Sequence, residues 1–304
     1  MDAQHRLPLR HLSCAHGRMG WREAGAGPAL VLLHGIGSAS LSWSAQVDAF
    51  ADRYRVIAWD APGYAQSDPL PQPEPLAADY AAVLAEFLTL LGVGADLQTV
   101  AVVGHSLGAL IAAAWAAQDQ PLRRVGPVAP VAPAPQARGL VLASPARGYG
   151  QAPEALRQRK WQERVQAIER LGPERLADER VAQLCAAGAS AAVLADLRRD
   201  MANVTRHGYA QAAYMLAHDD LLTHLRQVSV PVTVLCGELD RVTPPAACAA
   251  LAAAVNAPFR LLPGVAHACY VEDAAAFNAA LDEALVSPAP NPLALAGAAE
   301  TRAR

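Results

Sequence analysis

The chain has 304 residues, of which 53% are hydrophobic, 5% aromatic and 17% charged, and its formal net charge is −3. This length allows a large buried core, and the small negative charge gives no reason to expect a nucleic-acid or anionic-membrane partner. No apolar run approaches the roughly 18 residues of a membrane span, and residues 1–20 lack the apolar region of a secretory signal.

The cysteines are scattered, odd in number and without a C-x-x-C pair. This usage predicts neither a metal site nor a disulfide framework, and it favours a reducing, cytoplasmic location. No cofactor-binding pattern is recognised. The cysteines are Cys14, Cys185, Cys236, Cys248 and Cys269.

The first part of the chain alternates strand and helix patterns. An antiparallel hairpin is predicted first, and a strand over Ala29–Leu33 then runs into the glycine-rich loop His34–Ser38. Backbone N–H groups of such a loop can point into a cleft, as an oxyanion hole requires. A phosphate-binding loop is the alternative, but no G-K-[ST] follows. The other predicted elements are the hairpin strands His11–Cys14 and Met19–Glu23, the strand Arg55–Ala58 and the helices Trp43–Phe50 and Leu76–Leu91.

A turn-rich loop, residues 59–68, follows the strand at Arg55–Ala58. Asp60 could be interpreted as a catalytic acid. We favour a structural interpretation, in which Asp60 and Asp68 hydrogen-bond to local backbone and hold the loop.

The stretch 97–114, LQTVAVVGHSLGALIAAA, carries the strongest functional signal. Thr99–Val103 reads as a buried strand, Gly104–Gly108 is a G-x-S-x-G turn, and Ala109–Ala117 favours a helix. The glycines allow strand and helix to pass close together, and the turn places Ser106 in a strained backbone region. We therefore predict that Ser106 is a nucleophile, exposed at the carboxyl end of the sheet.

Composition changes after the next strand, Gly139–Ala143, which follows an irregular Ala/Pro-rich connection at Gln118–Arg138. No strand pattern occurs between about Tyr149 and Arg226, where charged, helix-favouring segments are separated by Gly and Pro. These segments predict a helical cap over the cleft, inserted into an α/β fold with a mostly parallel sheet. The cap helices are predicted at Glu154–Leu171, Glu174–Ala187, Ala191–His207 and Ala210–Leu225.

The strand and helix pattern resumes with Val232–Cys236, a helix at Ala246–Asn256, a strand at Phe259–Leu262 and a helix at Ala274–Leu285. The predicted organisation is therefore a core over 1–148 and 227–286 with a cap over 149–226. We expect the low-complexity tail at 287–304 to be disordered.

A serine nucleophile needs a base, and the base needs an orienting group. Asp240 follows the strand Val232–Cys236, and His267 follows Phe259–Leu262, so both are predicted at the same sheet edge as Ser106. Glu238 is the alternative acid. His34 and His105 are interpreted as structural, and the remaining histidines lie on the N-terminal segment or the cap.

Five motifs in this order resemble those of α/β-hydrolase-fold enzymes, and together they span Ala29–Leu285. Among them, the chain is most similar to the branch of 3-oxoadipate enol-lactonases and meta-cleavage-product hydrolases. The motifs are His34-Gly-Ile-Gly37, Asp60-x-Pro-Gly-x-x-x-Ser67, Gly104-His-Ser-Leu-Gly108, Gly237-x-x-Asp240 and Gly264-x-x-His267.

The resemblance implies a serine hydrolase of a small carboxylic ester or lactone. It assigns Ser106 as nucleophile, His267 as general base and acid and Asp240 as its orienting residue. It also implies an oxyanion hole from the backbone N–H groups of Ile36 and Leu107. A halide-displacing enzyme would need Asp at position 106. An acyltransferase, a carbon–carbon bond hydrolase of a vinylogous diketone and a binding protein on the same scaffold remain alternatives.

The cap is expected to set substrate specificity and to exclude water. Large residues there could line the cleft or could pack within the cap. Arg147 and Arg206 are the arginines considered for a carboxylate-bearing substrate, but no arginine cluster is evident in this segment. The candidate substrate-binding residues are Tyr149, Trp161, Met201, Tyr209 and Met215 in the cap, with Val242 and Cys269 beside the triad loops.

Overall fold

A computed structural model describes residues 7–94, 99–118 and 135–286. Most of the predicted connection at 118–138 and all of the predicted tail at 287–304 lie outside these residues. The described residues form one eight-stranded sheet. Its strands are β1 (Arg10–Cys14), β2 (Gly17–Ala24), β3 (Ala29–Leu33), β4 (Arg55–Trp59), β5 (Thr99–His105), β6 (Gln136–Ala143), β7 (Val232–Gly237) and β8 (Phe259–Leu262).

The strand order in the sheet is β1-β2-β4-β3-β5-β6-β7-β8. The pairs β1–β2 and β2–β4 are antiparallel, and every later pair is parallel. The predicted α/β class with a mostly parallel sheet is confirmed. The carboxyl ends of β3 and of β5 to β8 therefore share one edge, where open α/β sheets bind ligands.

Helices cover both faces of this sheet. Among the described residues, none of the helices combines the length and the apolar character needed to cross a membrane. A 3₁₀ turn at Ser40–Trp43 leads into the first helix. The helices are α1 (Ser44–Phe50), α2 (Ala77–Leu90), α3 (Leu107–Gln118), α4 (Glu154–Leu184), α5 (Ala191–Ala202), α6 (Arg206–His218), α7 (Leu221–Leu225), α8 (Pro245–Ala254), α9 (Cys269–Glu272) and α10 (Ala274–Val286).

The core lies on both faces of the sheet because successive side chains of a strand point to opposite sides. In β3, Val31 and Leu33 belong to one apolar cluster, and Leu30 and Leu32 belong to the other; all four are fully buried. A strand buried on both faces needs a continuous apolar run, as β3 has.

The helices α4 to α7 lie between β6 and β7, where the sequence predicts a cap. Gly172 interrupts α4 with φ +72°, a backbone conformation that glycine adopts readily, so the predicted break before Pro173 is present. Two predicted cap helices have other boundaries. The helix predicted over Ala191–His207 ends at Ala202, and the one predicted over Ala210–Leu225 is divided between α6 and α7. The side chains of Thr205 and Asp220 accept hydrogen bonds from the backbone N–H groups of Gly208 and Thr223, so they are the N-caps at which α6 and α7 begin.

The cap contacts the core where the backbones of Gly63 and Gly208 cross at close range. Gly63 lies in the loop after β4, and a Cβ on Gly208 would overlap the Gly63 carbonyl oxygen. The Thr205 hydroxyl donates to that same carbonyl at 2.8 Å, and Tyr64 forms an isolated β-bridge with Val204. The start of α6 is therefore fixed against the core.

Candidate active site

Ser106 sits on the sharp turn between β5 and α3 with φ +50°, in the left-handed region. Its N–H donates to the Ala143 carbonyl at 2.9 Å, and its own carbonyl accepts from the N–H groups of Ala109 and Ala146. A Cβ on Gly104 would lie 2.5 Å from the Gly108 carbonyl oxygen. The turn therefore requires glycine there, and its hydrogen bonds hold Ser106 in a conformation that other residues rarely adopt.

Asp240 and His267 meet across the loops that follow β7 and β8. His267 Nδ1 lies 2.9 Å from Asp240 Oδ2, and both side chains are almost fully buried. The backbone N–H groups of Val242 and Thr243 donate to Asp240 Oδ1 at 2.8 and 2.9 Å. Asp240 is thus oriented by its own loop and in turn orients the imidazole.

Hydrogen bonding keeps the Asp240 carboxylate ionised. Burial by itself would raise its pKa, but the hydrogen bond and charge of His267 and the hydrogen bonds from Thr243 outweigh burial and lower the pKa to about 2. Glu238, the alternative acid, instead accepts from the N–H of Gly264 at 2.9 Å, in the loop before His267. The geometry therefore favours Asp240 as the partner of His267.

A cavity of about 300 Å³ opens between the sheet edge and the cap. Ser106 and His267 line it from the core side, together with Ile36 of the loop after β3. No hydrogen bond joins Ser106 Oγ to His267 Nε2 among the described residues, a separation common in unliganded sites that tighten around substrate. The cavity thus gives one small molecule access to all three groups.

The predicted oxyanion-hole donors lie on either side of Ser106. Leu107 is the first residue of α3, so its N–H has no acceptor within the helix. Ile36 lines the cavity, and a Cβ on the preceding Gly35 would lie 2.9 Å from His105 Nδ1 and 3.1 Å from Ser106 Cβ. The loop therefore approaches Ser106 as closely as it does because residue 35 is glycine.

Two other histidines near Ser106 form hydrogen bonds with backbone groups. His34 Nε2 accepts from the Ala61 N–H at 3.0 Å, which leaves Nδ1 to donate to the Gly35 carbonyl at 2.9 Å. The Nε2 atom of His105 lies 2.9 Å from the His267 carbonyl oxygen, and the centroids of the two rings are 4.8 Å apart. Burial, and secondly the charge of His267, lower the pKa of His105 to about 3, so it stays neutral beside the base.

Asp60 and Asp68 each accept a hydrogen bond from backbone, as predicted, but the donors lie 20 and 50 residues earlier in the chain and not in the same loop. Asp60 Oδ1 accepts from the N–H of Ser40 at 2.7 Å, and Asp68 Oδ2 accepts from the N–H of Arg18 at 2.8 Å. The loop is therefore tied to the segment after β3 and to β2.

The structure divides the predicted substrate-binding residues. Tyr149, Met201, Tyr209 and Val242 line the cavity. The other three, Trp161, Met215 and Cys269, are not part of the cavity lining.

Each of the three packs elsewhere. The Trp161 ring lies against Tyr214, with centroids 5.3 Å apart. Met215 is fully buried in the main apolar cluster, and Cys269 is fully buried with Sγ 3.9 Å from Ser144 Oγ. Helix orientation and neighbouring layers, which residue size does not reveal, decide which face a large side chain takes.

Several cavity residues were missed from the sequence. Thr243 Oγ1 lies 2.7 Å from Asp240 Oδ2 and 3.1 Å from the Ser144 carbonyl oxygen, so it braces the acid. Arg164 and Arg180 line the cavity from the cap. Their signal in the sequence was weak because α4 is rich in charged residues along its whole length.

Arg147 and Arg206 were the arginines predicted as possible partners of a substrate carboxylate. Arg147 lines the cavity, and its Nε lies 3.5 Å from Asp220 Oδ1. Arg206 instead donates to the Glu169 carbonyl at 2.9 Å, next to the break in α4. Over residues 7–94, 99–118 and 135–286, no cluster of three or more His, Cys, Asp or Glu side chains is arranged to hold a metal ion.

Comparison with known proteins agrees with this fold. The chain belongs to the α/β hydrolase family, which it matches over residues 30–280. It is 26% identical to 3-oxoadipate enol-lactonase 2 of Acinetobacter baylyi over 222 residues, 71% of this chain and 73% of that enzyme. The predicted resemblance to enol-lactonases is thereby confirmed.

Two further matches define the extent of the similarity. An uncharacterised protein of Mycobacterium tuberculosis is 39% identical over 112 residues, 36% of this chain, but the match spans only 31% of that protein's length. The solved structure of a thermophilic esterase from Thermogutta terrifontis superposes with a TM-score of 0.76 at 23% identity, covering 91% of this chain and 97% of that one. At this identity the superposition supports the shared fold.

Proposed function

We propose that the protein is a serine hydrolase that cleaves a small carboxylic ester or lactone. The observation that carries the proposal is the hydrogen bond of 2.9 Å between Asp240 and His267, beside a cavity that both His267 and the strained Ser106 line. A fixed imidazole facing a serine on a strained turn is the arrangement that activates a hydroxyl nucleophile.

In the first half-reaction, Ser106 Oγ attacks the carbonyl carbon and its proton passes to His267 Nε2. The N–H groups of Ile36 and Leu107 stabilise the oxyanion of the tetrahedral intermediate. The bond from the acyl carbon to the leaving oxygen then breaks, and that oxygen takes the proton from His267. Asp240 stabilises the imidazolium throughout.

In the second half-reaction, water attacks the acyl-enzyme and gives its proton to His267. The acyl carbon then releases Ser106 Oγ, which regains the proton, and the free acid leaves. For a lactone, the leaving oxygen remains attached to the acyl group, so a single hydroxy acid is released.

The test is turnover of p-nitrophenyl esters of increasing acyl length and of a lactone panel, with Ser106→Ala and with Ser190→Ala as the matched control. Ser190 is an exposed N-cap residue of α5, away from the cavity. Ser106→Ala is expected to lower kcat by at least about 10³-fold, and Ser190→Ala to leave it unchanged. A fluorophosphonate should label Ser106 in the wild-type protein.

Undiminished turnover by Ser106→Ala, or an unlabelled Ser106, would overturn the proposal. Product analysis with added acceptor alcohol separates hydrolysis from acyl transfer, because an acyltransferase would release the acceptor's ester in place of the free acid.

The cytoplasmic location is part of the same proposal. All five cysteines are free thiols, and four of them are buried. Thiol titration of the denatured protein, taken directly from its cells under acid quench, is expected to find five free thiols. A disulfide in that preparation would contradict a reducing compartment.

A further inference from the structure

The loop that carries His267 is joined to the end of the cap helix α4. The Ala268 N–H donates to the carbonyl oxygen of Leu184, the last residue of α4, at 2.9 Å. Ala268 is also buried in a small apolar cluster whose other buried members all belong to the cap, among them Val181 and Met201. The loop of the candidate base therefore packs against the cap as well as against the core.

The Glu272 side chain makes a second connection between this loop and the cap. Its Oε1 accepts from the N–H of Ala266, the residue before His267, at 2.9 Å, and its Oε2 accepts from the N–H of Ala186, just after α4, at 2.7 Å. An ionised carboxylate accepts on both oxygens at once, and hydrogen bonds to a charged acceptor are stronger than those between neutral groups. One carboxylate thus spans from the cap to the loop of the base.

These hydrogen bonds hold both neighbours of His267 from the cap. The core holds the start of the same loop, where the Leu239 N–H donates to the Val265 carbonyl at 2.8 Å, and it holds the imidazole through Asp240. A general base has to come within hydrogen-bonding distance of the proton that it takes. Because the backbone on either side of His267 is bonded to the cap, the position of the cap affects how closely His267 Nε2 approaches Ser106.

We propose that Glu272 is a positioning residue, which transmits the position of the cap to His267 and so sets the approach of the base to Ser106. Leu184 lines the catalytic cavity, so a substrate that contacts this wall acts on the segment that holds the base. Binding energy from parts of the substrate remote from the reacting carbonyl can then align the base. This inference rests on the proposed function of the same site.

The hydrogen bonds of Glu272 have to be tested separately from its charge, because the carboxylate and His267 interact electrostatically. Glu272→Asp keeps the charge but shortens the side chain by one methylene, so it cannot reach both N–H groups. Ala186→Pro keeps the carboxylate and removes the N–H donor on the cap side. Cys185 has φ −118° and ψ 161°, a conformation that suits the residue before a proline.

Asp273→Asn is the matched control for these variants. It removes a carboxylate charge one residue after Glu272, at an exposed position. The Asp273 side chain accepts from the Ala276 N–H at 2.9 Å, at the start of α10, and asparagine keeps this hydrogen bond.

The kinetic test is steady-state hydrolysis of a p-nitrophenyl ester by variants whose circular dichroism matches that of the wild type. We expect Glu272→Asp and Ala186→Pro each to lower kcat about 10–100-fold with KM within about threefold, and Asp273→Asn to leave both within about twofold. Glu272→Asp tests the proposal even where Ala186→Pro does not fold. A raised KM with unchanged kcat would mean that Glu272 only holds the cap over the substrate, and it would overturn the proposal.

A spectroscopic test separates failure of this inference from failure of the proposed function. The proton between His267 Nδ1 and Asp240 is expected to give a low-field NMR resonance, identified by its loss in Asp240→Asn, and its observation requires no catalysis. We expect Glu272→Asp and Ala186→Pro to displace or broaden this resonance, and Asp273→Asn to leave it unchanged.

An unchanged resonance in both variants, with turnover abolished by Ser106→Ala, would overturn the positioning role and leave a serine hydrolase. A displaced resonance together with undiminished turnover by Ser106→Ala would instead overturn the proposed function and retain the connection between cap and His267.

Discussion

The Asp240 carboxylate receives hydrogen bonds on both oxygens, and this fixes the proton arrangement of the pair. Because Val242 and Thr243 donate to Oδ1, the other oxygen faces His267 Nδ1 at 2.9 Å. An ionised carboxylate only accepts hydrogen bonds, so Nδ1 carries the proton and Nε2 is left as an acceptor. The same hydrogen bonds keep Asp240 charged over the whole working pH range, with its pKa at about 2.

Asparagine at position 240 is nearly the same size but cannot stabilise an imidazolium at His267. We expect Asp240→Asn to lower kcat about 10³–10⁴-fold, with little change in KM. The measurement is steady-state hydrolysis of a p-nitrophenyl ester.

Glu238→Gln is the matched control for this pair, because it makes the same carboxylate-to-amide change two residues away. Among the described residues its side chain accepts only from the Gly264 N–H, and glutamine retains an acceptor oxygen, so we expect a loss below about fivefold. A larger loss in Glu238→Gln than in Asp240→Asn would reassign the acid.

At the scale of elements, close backbone crossings position the cap. The start of α6 passes the loop after β4 at Gly63 and Gly208, where no side chain fits. Because Tyr209 follows Gly208 and lines the catalytic cavity, this crossing places cap residues relative to Ser106. A crossing made of backbone is rigid, since it has no side-chain rotamers through which to adapt.

We expect Gly208→Ala to destabilise the protein by about 1–3 kcal/mol, because the added Cβ would overlap the Gly63 carbonyl oxygen. Chemical denaturation gives the free energy of unfolding, and ester hydrolysis gives the accompanying change in KM. Gly188→Ala makes the same chemical change in the cap at a position with open space around it. Equal stabilities for the two variants would show that the crossing does not hold the cap.

A second contact between cap and core contains a buried acid. Asp200 on α5 lies in a cavity of about 210 Å³ that Arg22 and Asp60 line from the core. Arg199 Nε approaches Asp200 Oδ1 at 3.2 Å, but Oδ2 is buried and has no hydrogen-bond partner in the part of the chain that the structure describes. Burial raises the pKa of Asp200 to about 7 against the lowering effect of Arg199, and the charges of Asp196 and Asp60 add to the increase.

A carboxyl whose pKa is higher in the folded than in the unfolded chain binds more protons when folded. Asp200 therefore makes stability fall as pH rises from about 4 to about 7, and its full cost is present above pH 7. We expect Asp200→Asn to be more stable than wild type at pH 8, by an amount on the order of 1.4 kcal/mol per unit of pKa shift, and to lose this advantage toward pH 4.

Urea denaturation at pH 4.5, 6 and 8 provides the measurement. Asp196→Asn is the control, since Asp196 lies on the same helix and also pairs with Arg199 but is 56% exposed. A pH-independent difference between Asp200→Asn and wild type would mean that Asp200 titrates normally in the folded protein.

At the scale of the whole molecule, core and cap share one apolar cluster. Ile168 and Met215 of the cap belong to the same buried cluster as Val102 of β5 and Leu110 of α3. Both ends of the cap also join neighbouring strands, β6 and β7. Unfolding of either the cap or the core would therefore expose apolar surface of the other. This shared burial couples the stabilities of the two parts.

We expect a single cooperative unfolding transition. Trp161 is the tryptophan of the cap, and the other four, Trp21, Trp43, Trp59 and Trp115, belong to the core. Far-ultraviolet circular dichroism and the difference in fluorescence between wild type and Trp161→Phe should give coincident denaturation midpoints. An earlier midpoint for the Trp161 signal would mean that the cap unfolds separately.

The sequence by itself determined the α/β class and the sharp turn at Ser106, and it supplied the candidates for the base and its acid. Those signals are local. Buried parallel strands need continuous apolar runs, the turn at Ser106 needs glycines on either side, and Asp240 and His267 each follow a strand directly. The break in α4 could be predicted for the same reason, because Gly172 and Pro173 are adjacent in the sequence. The N-caps Thr205 and Asp220 were missed because they lie within helix-favouring sequence.

Only the tertiary structure decided which cap side chains face the cavity. Tyr209 and Trp161 are both large aromatic residues of cap helices, yet Tyr209 lines the cavity and Trp161 packs against Tyr214. Arg164 and Arg180 lie on either side of the break at Gly172 in a charged helix, yet both line the cavity. The orientation of a helix depends on the layers that pack against it, and those contacts join residues that are distant in the chain.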